Sequence, residues 1–211
     1  MSLPRHPGKR RLLQAGAGLL SLSPLQALVG RPPLAMWAAL AATRPVAAHP
    51  GAGRVDPPLP APALPLTLHD GRRSSLPALL QGRATAVQLM FTGCTAICPI
   101  QGALFAAVQA GLPTSARGAV QLLSLSIDPL GDDAAALQRW LQAQRSQPGW
   151  RAAVPAVADV ERLFDFLGGR SSGPDRHTAQ VYLFDRQGRL ALRSADFPTP
   201  PQVQAWLQAL A

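Results

Sequence analysis

Apolar positions along the chain alternate between two spacings. Residues 85–91 and 119–127 are rich in branched and apolar side chains, the pattern of strands buried within a sheet. Between and after them the spacing becomes helical. Leu104, Phe105 and Val108 line one face of a helix expected over residues 99–110, opened by Pro99. Val203, Trp206, Leu207 and Leu210 do the same over residues 200–210. Asp132 and Asp133 open a third helix running to about Arg145, where acidic residues favour a helix start. Residues 159–167 predict a fourth, ended by Gly168-Gly169. Shorter strands are expected at 64–68, 154–157, 179–184 and 190–193, the last two joined as a hairpin by Asp185-Arg186-Gln187-Gly188. Asp70-Gly71 turns the first of these strands towards residues 72–75, and Pro65 assigns it to a sheet edge. Residues 76–80 form a helical turn.

This order of strand, helix, strand, helix, hairpin and helix favours a mixed sheet flanked by helices. A turn bearing two cysteines directly after the first core strand makes the expected fold α/β and thioredoxin-like, with an N-terminal β-hairpin extension. No internal repeat and no glycine-rich phosphate loop is present.

The N-terminus is of another kind. Residues 1–48 hold Arg5, Lys9, Arg10, Arg11, Arg31 and Arg44 and no acidic residue. Lys9-Arg10-Arg11 precedes a mostly apolar stretch over 12–30, and Val46-Ala47-Ala48 offers small residues for cleavage. This reads as an export signal, partly resembling a twin-arginine signal, or as an uncleaved anchor that tethers the chain to a membrane. Residues 49–63 gather Pro50, Pro57, Pro58, Pro60 and Pro62 and read as a semi-rigid linker. The domain proper is expected over 64–211.

Removing the N-terminal segment changes the charge argument. The whole chain carries +9, but six of its twenty basic residues precede residue 49. Residues 49–211 keep 14 arginines against all 11 acidic residues, a net +3. The arginines are scattered and no aromatic-rich basic patch accompanies them, so a nucleic-acid partner is not expected. Trp140, Trp150 and Trp206 are expected to be packing residues.

Cys94 and Cys98 are the only cysteines. In an exported protein two cysteines form a disulfide by default. A bond across this spacing closes a very short loop and restricts the unfolded chain little, so a purely stabilising role is a poor use of it. Placed where a strand turns into a helix, a thiolate gains from the free N–H groups of the helix start. The two sulfurs can bridge one ion or form a disulfide. Copper(I) is soft and prefers thiolates, with imidazole a suitable companion. Of the four histidines, His6 and His49 lie in or beside the signal and His69 in the first hairpin turn. His177 ends the polar loop 170–177 just before a strand, where a thioredoxin-like sheet brings it towards the cysteine turn. Asp128 before Pro129 is expected to end its strand in a turn rather than to tune the site.

The run Phe91-Thr92-Gly93-Cys94-Thr95-Ala96-Ile97-Cys98-Pro99 resembles the Cys-x-x-x-Cys-Pro motif of the SCO/SenC family. Ser124-Leu125-Ser126-Ile127-Asp128-Pro129 is similar to that family's Ser-x-Asp-Pro strand end. Asp175-Arg176-His177-Thr178 and the hairpin from Val181 to Arg189 are similar to its histidine segment. The resemblance implies one copper ion, Cu(I) or Cu(II), bound by Cys94, Cys98 and His177. It further implies a periplasmic protein, or one on the outer face of the inner membrane. Such a protein supplies copper to the binuclear copper centre of cytochrome c oxidase subunit II, or to another exported copper protein, or maintains the cysteines of that centre. Thr95 and Ala96 depart from the family's commonest residues at those positions, proline and an acidic residue.

Two other readings use the same sulfurs. A thiol–disulfide oxidoreductase would attack with Cys94 and resolve with Cys98, the redox-active pair. A peroxiredoxin-like peroxide reductase shares the general fold but leaves Cys98 and His177 unexplained together.

Overall fold

A computed structural model describes residues 51–171 and 176–211. The expected export segment, His6, His49 and Asp175 lie outside these residues. Among the described residues eight strands form one sheet in the order β1-β8-β7-β4-β5-β6-β2-β3, and no helix is long and apolar enough to cross a membrane.

The centre of the sheet is β4 (Ala84–Met90), β5 (Val120–Ser126) and β6 (Trp150–Pro155), all parallel. Every residue of β4 and β5 is buried. Alternation along them feeds two cores. Ala84, Ala86 and Met90 of β4 join Leu122 of β5 beneath α2 (Ile97–Gly111), α3 (Ala134–Ala143) and α5 (Pro200–Leu210). Val87, Leu89, Leu123 and Leu125 face the other way, onto α1 (Leu76–Leu80) and α4 (Val160–Leu167). On the far side of β4 lie β7 (Val181–Phe184) and β8 (Arg189–Arg193), both antiparallel to their neighbours. This is the expected thioredoxin-like arrangement, and the hairpin of β2 (Pro65–Leu68) and β3 (Arg73–Ser75) is its N-terminal extension.

Tryptophans pack as expected. Trp150 meets Trp140 and Phe105 at ring distances of 5.7 Å each, and its indole N–H donates to Ser124 Oγ at 3.0 Å. Trp206 is partly buried against the same core.

Three elements differ from expectation. Residues 53–60 are not a spacer: they form β1 (Gly53–Pro60), an edge strand antiparallel to β8. Its prolines lack N–H groups, which an outermost strand tolerates on its outer side. Strand β2 is not at the edge, because it pairs with both β6 and β3, and Pro65 occupies its first position. Strand β6 begins at Trp150, four residues earlier than expected. Its Arg151-Ala152-Ala153 run has weak strand propensity, and pairing with Leu122–Leu125 overrides it.

Phe105, on the inner face of α2, is fully buried against Trp150. Phe105→Ala should cost about 3–5 kcal/mol of stability, read as a lowered urea midpoint with an unchanged slope.

Candidate metal centre

Strand β4 ends at Met90, and the chain turns at once. The Cys94 N–H donates to the Phe91 carbonyl at 3.1 Å, closing a turn through Thr92 and Gly93. Helix α2 then starts at Ile97, so Cys98 lies in its first turn and Pro99 is its third residue. That start is two residues earlier than expected. Pro99 is still tolerated there, because first-turn N–H groups have no partner within the helix. The N-cap position is Ala96, which has no side chain able to cap. Cys94 takes over part of this role: its sulfur accepts the Cys98 N–H at 3.3 Å.

His177 comes from the opposite side. Its backbone bridges to Arg170, and Thr178 N–H donates to the Gly169 carbonyl at 2.9 Å. A Cβ at Gly169 would lie 2.5 Å from the Tyr182 hydroxyl and 2.8 Å from a Leu89 methyl group, so a larger residue there would push both side chains aside. The imidazole is 1% exposed. Its Nδ1 lies 2.9 Å from the Thr178 carbonyl. A carbonyl only accepts, so Nδ1 is the nitrogen that donates here, and Nε2 is the one turned towards the cysteines. Nε2 is 3.7 Å from Cys98 Sγ. Phe91 stands edge-on to the ring, 6.3 Å between centroids.

The structure therefore places Cys98 beside His177 and ties the Cys94 sulfur to the backbone of Cys98. Cys94 is 9% exposed and Cys98 1%. Among the described residues no three His, Cys, Asp or Glu side chains already stand as a closed metal cage. His69 is elsewhere, with its Nδ1 3.2 Å from the Ala152 carbonyl.

Two supports were not legible from motifs. Behind His177, Thr178 Oγ1 meets the Tyr182 hydroxyl at 2.9 Å and donates to Gln180 Oε1 at 3.1 Å. Gln180 in turn donates to the Ser194 carbonyl at 2.7 Å. The second support is Asp132. Of the two aspartates expected to open α3, only Asp133 does so, accepting the Ala136 N–H at 2.7 Å. Asp132 turns inward, 3% exposed, and accepts from Thr92 and Ser126. An adjacent aspartate pair, of which only one can cap a helix, was the available signal. Asp128 ends β5 in a turn, its side chain accepting the Gly131 N–H at 3.2 Å, in keeping with the structural reading.

The fold is thus a thioredoxin-like sheet with two cysteines and a histidine gathered at one end. The sequence match is specific: residues 63–211 match the SCO1/SenC family. The chain belongs to that family. Among curated proteins none matches it significantly. Solved structures do. Copper-bound ScoI of Bradyrhizobium japonicum is 22% identical, with a TM-score of 0.60 over 72% of this chain and 99% of that one. A SCO1/SenC family lipoprotein of Bacillus anthracis is 21% identical, with a TM-score of 0.63 over 73% and 96%. BsSco, a member of the Sco family of cytochrome c oxidase assembly proteins with a disulfide switch, is 20% identical, with a TM-score of 0.62 over 73% and 94%. At these identities the structural likeness shows the fold.

Tyr182 is the chain's one tyrosine. Burial pushes its hydroxyl up from 10.0 to about 12, while the Thr178 hydrogen bond works the other way. The folded state thus holds the phenolic proton more tightly than the unfolded chain. The resulting stability is whole below pH 10.0 and is lost as pH rises towards about 12. Tyrosinate absorbance should titrate near the upper value in folded protein. The unfolding free energy should fall by up to about 1.4 kcal/mol per pH unit across the window. A folded-state midpoint at the ordinary value would contradict this burial.

Proposed function

We propose that this protein binds one copper ion as cargo through Cys94, Cys98 and His177. It delivers that copper to the binuclear centre of cytochrome c oxidase subunit II, or keeps the cysteines of that centre reduced. The observation that carries the reading is the approach of Cys98 Sγ to Nε2 of a buried histidine, 3.7 Å apart. At that separation the two side chains, with Cys94 beside them, would be the residues to hold one soft ion. The donor set also suits the cargo: thiolate sulfur selects soft Cu(I), and imidazole serves either oxidation state.

Each residue has a separate task. Thr178 holds His177 through Nδ1, which aims Nε2. Burial of Cys98 and His177 keeps water from competing for the ion. Cys94, the more exposed residue of the two, is where a partner's ligand can enter, so release proceeds from that side by exchange of one donor at a time. Copper-bound Bradyrhizobium japonicum ScoI and the oxidase-assembly family of BsSco support this reading. In the same reading residues 1–48 direct export to the periplasmic side, and a lipoprotein among the relatives supports it. The folded domain begins near residue 53, since β1 is part of the sheet.

A second reading rests on the same sulfurs. BsSco has a disulfide switch, and here a more exposed Cys94 stands next to a buried Cys98. That is the order an attacking and a resolving thiol require in a dithiol reductase acting on exported cysteines.

Copper stoichiometry and absorption spectra of the reduced domain from residue 49 separate the two. The expected result is one copper per chain. The thiolate-to-Cu(II) band should vanish in Cys94→Ala and Cys98→Ala. In His177→Ala affinity should be at least about tenfold weaker, equivalent to about 1.4 kcal/mol. No copper retention by fully reduced protein would shift the assignment to the reductase.

A further inference from the structure

We infer that Asp132 is the positioning residue for the Cys94 half of the metal centre, acting through Thr92. The inference rests on the copper reading above for its consequence, but not for its geometry.

The side chain of Asp132 is 3% exposed and comes from the segment between β5 and α3. It reaches a residue 40 positions earlier in the chain. The Thr92 N–H donates to both of its oxygens, at 3.2 Å and 3.0 Å. The Thr92 hydroxyl donates to Oδ1. On its other side Ser126 Oγ donates to Oδ2 at 2.6 Å, and Ser126 Oγ itself accepts the Asp128 N–H at 3.0 Å. The carboxylate thus joins the end of β5 to the turn that carries Cys94.

Thr92 is the second residue of that turn, which the Cys94 N–H closes on the Phe91 carbonyl. Holding Thr92 by backbone and side chain together fixes its position and the turn's orientation. The direction of the Cys94 Cα–Cβ bond depends on both. The two halves of the site are then held independently: Cys94 through Asp132, and His177 through the Thr178 carbonyl. Helix α2 contributes Cys98 between them. A three-donor site needs all three directions set before the ion arrives, because supporting partners of metal ligands typically change affinity by about 10–100-fold.

Thr92 and Ser126 both donate to the same buried carboxylate, but only Thr92 belongs to the cysteine turn. Thr92→Val and Ser126→Ala therefore form a matched pair, with Asp132→Asn as the conservative variant and Asp132→Ala as the full removal. Three quantities are read on the reduced, folded protein: urea stability, the iodoacetamide alkylation rate of Cys94 by mass spectrometry on metal-free protein, and Cu(I) affinity by competition. Thr92→Val and Asp132→Ala should raise the Cys94 alkylation rate severalfold and weaken copper binding by about tenfold or more. Ser126→Ala should lose comparable stability while leaving both within about twofold. Asp132→Asn, which keeps one acceptor oxygen, should fall between them. Equal effects of Ser126→Ala and Thr92→Val on Cys94 would reduce Asp132 to a structural residue and overturn the inference. Unchanged alkylation in Thr92→Val would do the same. If the parent protein holds no copper while Thr92→Val still unmasks Cys94, the copper reading fails and the positioning role stands.

Discussion

Strand β4 has solvent on neither face and a paired neighbour on each side. The geometry of the thiol-bearing end depends on that enclosure. A strand so enclosed has one register, since a slip by one residue would exchange its two faces. Its C-terminal end is therefore a fixed point, and the turn carrying Cys94 starts from it. Strand β7 runs antiparallel to β4, so its entry lies at the same end of the sheet. The residues leading into β7, His177 among them, are delivered there by topology. Cys98 and His177, 79 positions apart in sequence, meet because the pairing of β4 with β7 brings both to one end of the sheet.

The polar groups around this end answer to the same constraint. A buried imidazole, a buried carboxylate and a buried phenol each need partners, and each finds them in a short network. His177 uses a backbone carbonyl, Asp132 uses Thr92 and Ser126, and Tyr182 uses Thr178. Such fully partnered networks are stiff, because a missing bond inside protein costs more than it does in water. Stiffness of this kind holds Cys94, Cys98 and His177 in one arrangement at that end of the sheet.

Much of this was legible in the sequence, and the reasons are local. The apolar runs of β4 and β5 and the helical faces of α2 and α5 carry strong periodicity, so their existence and order can be read from pattern alone. Cys94, Cys98 and His177 stood out as rare residue types at element ends. What escaped was set by tertiary partners. Asp132 and Asp133 look alike in sequence, and only the position of Thr92 decides which turns inward. Ala96 gives no capping signal, because the sulfur of Cys94 supplies an acceptor that no capping rule anticipates. Arg151-Ala152-Ala153 became strand by pairing with β5 rather than by propensity.

The proline-rich edge strand β1 has a consequence for the sheet as a whole. An open sheet invites a further strand at each rim, from another copy or from a passing unfolded chain. Here one rim is β1, with Pro57, Pro58 and Pro60 interrupting its row of donors, and the other is β3, three residues long and preceded by Arg72. Neither offers a long, regular row of free hydrogen-bonding groups. Strand β1, expected from sequence to be a linker, thus also protects this rim of the sheet against the addition of a further strand.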